Sequence, residues 1–132
     1  MARYAMQTTL PGSLAEVKPR VVAALKAHGY GILTEIDVQA TLREKLGVDF
    51  EPYLILGACN PQLAYGALTA ERTIGLLLPC NVVVRHTAGV TVVEAINPDT
   101  LVALTENPAL VDLAKDLSAA LNASLDVLRG AA

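Results

Sequence analysis

An α+β fold is what this chain of 132 residues predicts: two layers, a mostly antiparallel sheet with helices packed on one face, assembled as a homodimer. Three observations predict it. Strand-length apolar or alternating runs recur at Tyr30–Val38, Tyr53–Ala58, Ile74–Thr87 and Val90–Ile96. Apolar residues at helical spacing, bounded by start and stop signals, fill the intervals between them. The last two runs meet at Ala88-Gly89, a hairpin turn that requires antiparallel neighbours.

The elements follow in order. Residues 3–9 suit a short first strand. Ser13-Leu14-Ala15-Glu16 has the S-x-x-E form of a capping box, and Val17, Val21, Val22 and Leu25 continue on one helical face until Gly29. Pro19 lies inside this helix and removes one backbone bond, so a kink or a delayed start is expected. The Tyr30–Val38 strand alternates, with Tyr30, Ile32, Thr34 and Ile36 on one side and Leu33, Glu35 and Asp37 on the other. Asp37 caps a helix through Leu42 and Leu46 that stops at Gly47. Tyr53–Ala58 is nearly all apolar and is expected at the centre of the sheet. A helix over Pro61–Glu71, the two hairpin strands and a short helix at Asp99–Thr105 come next. The longest helix spans Pro108–Leu128, its stripe being Leu110, Ala114, Leu117, Leu121, Leu125 and Leu128.

Composition limits the function. Hydrophobic residues make up 53% and charged ones 17%, against about 25% charged in an ordinary soluble domain. Mean hydropathy is +0.44. A membrane span does not absorb this excess. Apolar runs such as Ile74–Val84 contain Pro79 and Asn81 and fall short of the ~20 residues needed. The chain is therefore expected to bury apolar surface against a second copy, as one domain over residues 1–132. The opening MARYAMQTTLPGS has no continuous apolar stretch of the secretory type, so a cytoplasmic location with free thiols is expected. Net charge is −3, and the ten Lys and Arg form no basic stripe, which argues against nucleic acid as a partner.

Four segments carry a family resemblance: GYGILTEIDV (Gly29–Val38), EKLGV (Glu44–Val48), YLILGACNP (Tyr53–Pro61) and GLLLPCNVVV (Gly75–Val84). In this order they resemble the marker segments of domain-of-unknown-function family 302, with the match covering roughly residues 10–100. The resemblance implies a small α+β domain that dimerises. It implies no activity, because fold does not fix function. Both cysteines fall inside the resembling segments.

Candidate site residues are Glu35, Asp37, Cys59, Asn60, Cys80 and Asn81. The two cysteines are the chain's only ones, and each precedes an asparagine. Cys59 closes a strand while Asn60-Pro61 opens a helix, which places a thiol beside unpaired amides that favour an anion. That is the setting of a nucleophile or metal ligand, although a free cysteine is also a common buried apolar residue. Cys80 follows Pro79, and a proline there implies a bulge, a break or an edge. Two cysteines cannot fill a tetrahedral zinc site, and His86, Glu35 and Asp37 show no familiar spacing to them, so no metal is assigned. A thioredoxin-like role lacks its C-x-x-C.

Glu35 and Asp37 share a strand face roughly 6.6 Å apart at about 3.3 Å per residue, close enough for an acid–base pair. The milder reading makes Asp37 a helix cap and pairs Glu35 with a Lys or Arg such as Lys45. His28 suits a helix C-terminus. Asn60 and Asn81 offer amides to a polar ligand, and Asn60 also suits a helix cap. No Gly-rich phosphate loop is present, and no cofactor is assigned. Three functions follow: a small-molecule-binding module with an apolar pocket rimmed by the six candidates, an enzyme or thiol centre using Cys59 and Cys80, or a structural subunit without chemistry.

Overall fold

Ser13 starts the first helix as the capping box requires. The Glu16 N–H donates to Ser13 Oγ at 3.1 Å, and the Ser13 N–H donates to Glu16 Oε1 at 3.3 Å. The computed structural model describes residues 3–130; residues 1, 2, 131 and 132 of the expected 1–132 domain lie outside it. Its elements are β1 (Ala5–Leu10), α1 (Leu14–Ala27), β2 (Gly31–Asp37), α2 (Val38–Leu46), β3 (Tyr53–Cys59), α3 (Pro61–Ala70), β4 (Cys80–Thr87), β5 (Val90–Ile96), α4 (Asp99–Thr105) and α5 (Val111–Gly130). Short 3-10 turns occupy Arg72–Leu77 and Pro108–Leu110.

The five strands form one sheet in the order β1-β5-β4-β3-β2, with every neighbouring pair antiparallel. Directly opposed residues share a face in such a ladder. Val84 stands between Leu54 and Val93, and Val82 between Leu56 and Ala95. All six are buried, packed against Val17 and Val21 of α1 and Leu121 and Leu125 of α5. The expected leucine stripe of the last helix is therefore core: Leu110, Ala114, Leu117, Leu121, Leu125 and Leu128 are all buried.

The opposite face of the sheet is mixed rather than apolar. Arg85 Nε donates to Glu94 at 2.8 Å, and Gln7 Nε2 donates to the same carboxylate at 3.1 Å. The Glu94 hydrogen bond holds the Arg85 guanidinium still more firmly protonated. Val83 lies on this face, whereas Val93 lies wholly under the helices.

Several expectations change on packing. α1 starts at Leu14 and runs through Pro19 without interruption. Pro19 removes a single bond, and the capped first turn together with buried Val17, Val21, Ala24 and Leu25 carries the helix past it. β4 starts at Cys80, not Ile74. Pro79 has no N–H for a ladder, and Ile74 is drawn into a separate cluster with Ala67 and Leu110. β4, rather than β3, is the central strand. In β2 the pairing shifts between Ile32 and Thr34, so Leu33 is a bulge. Ile32 and Glu35 consequently share one face, and the regular alternation expected from Tyr30 onward does not hold. Asp37 does cap α2, its Oδ1 accepting from the Ala40 N–H at 2.9 Å.

α2 buries none of its residues. It and its flanks leave Leu33, Leu46, Val48 and Phe50 exposed, with Leu46 at 69%. A helix of 9 residues that buries nothing has little to hold it in water.

Candidate functional site

β3 ends and β4 begins side by side, because Ala58 pairs with Cys80 and Gly57 with Asn81. This register brings the two Cys-Asn pairs to one end of the sheet. Cys59 is half-buried, Cys80 is buried at 3% exposure, and both are free thiols. Asn60 caps α3: its Oδ1 accepts from the Leu63 N–H at 3.2 Å, and Pro61 takes the first helical position. The amide donors and positive dipole end of α3 therefore begin next to Cys59.

Tyr30 completes the group. α1 ends with the Tyr30 N–H donating to the Leu25 carbonyl at 2.9 Å. Gly29 makes that turn at φ +88, where a side chain is strained, and a Cβ there would come within 3.0 Å of Asn60 Nδ2. The α1–β2 turn thus touches the head of α3. The Tyr30 ring is buried at 1% exposure, and its hydroxyl donates to the Leu117 carbonyl at 3.4 Å.

Tyr30, Cys59, Asn60 and Cys80 line one cavity of about 20 Å³ whose remaining walls include Leu63, Pro79 and Leu117. That volume accepts one water-sized body. On the other side of Tyr30, an open cleft of about 510 Å³ runs along Val22, Lys26 and Ile32.

Burial, and then the neighbouring Cys59, push the Cys80 thiol from 9.0 up to about 11. Burial raises the Tyr30 phenol too, with the cysteines adding to it. Cys80 therefore stays a neutral thiol at neutral pH. The raised folded value means that its contribution to stability is complete below about 9 and is lost as pH rises through about 11. Melting temperatures from pH 8 to 11 should fall more steeply for the wild-type chain than for Cys80→Ala. The difference should amount to roughly 2–3 kcal/mol across the window. Parallel curves for the two proteins would show that Cys80 is not the group responsible.

The other expected site residues lie elsewhere. Glu35 pairs with Lys18 of α1, not Lys45, because β2 lies alongside α1. Asp37 is occupied as the α2 cap, and its carbonyl also accepts from the Thr41 hydroxyl at 2.7 Å. Asn81 is exposed on the mixed face of the sheet, in a groove of about 220 Å³ shared with Tyr4, Val83 and Glu94. His86 sits toward the far end of β4, roughly 20 Å from Cys80 at about 3.3 Å per residue. Its Nδ1 bonds Thr91 Oγ1 at 3.1 Å. His28 Nδ1 meets the Ala24 carbonyl at 2.9 Å, closing α1. Among the described residues, no group of three or more His, Cys, Asp or Glu is placed to hold a metal ion. Tyr30 was not among the residues expected here, because strand alternation accounts for it. Its position directly after the helix-stopping Gly29 was the available signal.

Fold and site together define a small α+β module with a thiol-lined cavity at one end of its sheet. The chain belongs to the family described as Domain of unknown function DUF302, whose model matches residues 6–128. It is similar to the crystal structure of an uncharacterized conserved DUF302 protein from Bacillus stearothermophilus, at 35% sequence identity and a TM-score of 0.88. The similarity covers 96% of this chain and 98% of that one. No curated protein matches the chain. Among the described residues, no helix is long and apolar enough to cross a membrane.

Proposed function

We propose that the chain is a cytosolic, homodimeric binding module of one domain, whose ligand is received by Tyr30, Cys59, Asn60 and Cys80 at the head of α3. The observation that carries this reading is the convergence of both cysteines, from two strands, on one cavity beside a helix N-terminus. Glu35, Asp37 and Asn81 are left out of the rim because each is engaged or exposed elsewhere. The cavity is too small for a whole metabolite, so the ligand is a very small species or the small reactive end of a larger one. The scattered basic residues give nucleic acid no footprint.

Brief treatment of the folded chain with methyl methanethiosulfonate tests access to the site. One adduct on Cys59 is expected, with Cys80 modified only after unfolding. A folded chain that takes up no reagent at Cys59 would defeat the binding reading. The dimer is supported by the exposed apolar side chains of the β2–α2 arm, Leu33, Leu46, Val48 and Phe50. A second copy covering them would stabilise an α2 that otherwise buries nothing.

A further inference from the structure

We propose that the open cleft between α1 and β2 is a second binding site, and that it takes a small amphipathic carboxylate with its chain along Val22 and Ile32 and its head group at Lys26. Tyr30 separates this cleft from the thiol cavity, so the inference goes beyond the binding reading above and does not rest on it. Lys18, Val22 and Lys26 follow one another at i, i+4 and i+8 on α1 and form one stripe. That stripe faces β2, since Lys18 pairs with Glu35, while Val22 and Lys26 line the cleft together with Ile32. Ile32 and Glu35 share the helix-covered face of the sheet because of the bulge at Leu33. The groove therefore has a neutral end at the Lys18–Glu35 pair, an apolar middle and a cation at its other end.

Charge and size select the ligand. Lys26 is exposed, and among the described residues no carboxylate lies within ion-pair distance of it. The lining of the cleft contains no acidic side chain. A cationic ligand would meet Lys26 with nothing to offset it, because Glu35 is already paired. A phosphate-like dianion would bring a second, unpaired charge against Val22 and Ile32. A monocarboxylate matches the single ammonium. The volume of about 510 Å³ lies in the range of small-molecule pockets, roughly 300–1,000 Å³, and Gly29 and Gly31 add no side chain to fill it. From Lys26 back to Lys18 the helix rises roughly 12 Å at about 1.5 Å per residue, room for an extended acid of about eight carbons.

The test titrates the isotope-labelled full-length chain with octanoate, below its micelle-forming concentration, and follows the amide NMR spectrum. Saturable shifts are expected at the amides of Val22, Lys26, Gly29 and Ile32. Affinity should fall about 10-fold in Lys26→Glu and stay within about 2-fold in Lys26→Arg. Lys26 is exposed, so both variants should fold, and the same spectra establish that they do. Octylamine has the same chain with the opposite charge and should bind at least about 10-fold more weakly. The absence of saturable shifts at these amides, equal affinity for octylamine, or undiminished affinity in folded Lys26→Glu would each overturn the proposal. Shifts centred on Cys59 and Cys80 instead would assign octanoate to the thiol cavity and overturn it as well. Prior labelling of Cys59 by methanethiosulfonate should leave octanoate affinity unchanged, so the cleft and the thiol cavity stand or fall separately.

Discussion

Gly57→Ala is expected to lower the melting temperature by roughly 10 °C, because the position has no room for a methyl group. Gly57 is buried in β3, opposite Thr34 of β2 and Asn81 of β4. A Cβ there would overlap Thr34 Oγ1 and lie 2.9 Å from Pro79 Cγ. The Thr34 hydroxyl can clear the methyl only by changing χ1 on a β-branched residue, and the Pro79 ring, which lines the thiol cavity, has no such rotation. Overpacking of this kind costs about 3 kcal/mol. Thr34→Ala removes the overlapping hydroxyl and should restore more than half of the loss when combined with Gly57→Ala. Urea unfolding of the two single variants and the double variant measures the coupling. Simple additivity of the two changes would show that the Thr34 contact is not the cause.

Val93→Glu is expected to leave no folded protein, whereas Val83→Glu should fold. The two positions are on neighbouring strands, and their residues face opposite sides of the sheet. Val93 is completely buried beneath α1 and α5, with Val84 as its strand partner and apolar side chains packed around it. An unpaired buried charge costs several kcal/mol, comparable to the whole stability of many domains. Val83 is only half-buried on the mixed face; Glu there would stand directly opposite Glu94, a like-charge pair that should cost about 1 kcal/mol without preventing folding. Circular dichroism and urea titration separate the two outcomes. Sedimentation equilibrium on Leu46→Glu then addresses assembly: a folded 13.8 kDa species is expected once the β2–α2 arm carries a charge. Unchanged dimer mass would exclude the arm as the subunit contact, and a monomeric wild-type chain would remove the dimer altogether.

Much of the site was legible. Cys59 and Asn60 stand at a strand-to-helix junction that Pro61 marks in the sequence, and the cap forms as that pattern requires. Cys80 was legible as the residue after a break that Pro79 marks, and β4 begins there. That both border one cavity was not, because it depends on which strands pair and in what register. Glu35 and Asp37 share a strand face in the sequence pattern, but α1 supplies Lys18 to one and α2 supplies its N-terminus to the other. Tyr30 was hidden for a related reason. Alternation explains a strand tyrosine without a pocket, and only the approach of the α1–β2 turn to α3 brings it against the thiols.

Local chemistry accounts for what could be read from residues alone. Ser13 with Glu16, Asp37, Asn60 with Pro61 and the Ala88-Gly89 turn act within a few bonds of themselves, so their effect does not depend on the rest of the chain. The apolar periods of α1 and α5 likewise announce their buried faces. Tertiary structure decided the rest. It set the strand order β1-β5-β4-β3-β2, the bulge at Leu33 and the conversion of the segment before Pro79 from strand to 3-10 turn. It also placed Val93 beneath the helices and a charged network on the opposite face of the sheet. These features depend on contacts between residues distant in sequence. An apolar run such as Ile74–Leu78 satisfies its burial equally well in a strand or in a turn, until Ala67 and Leu110 arrive to pack against Ile74.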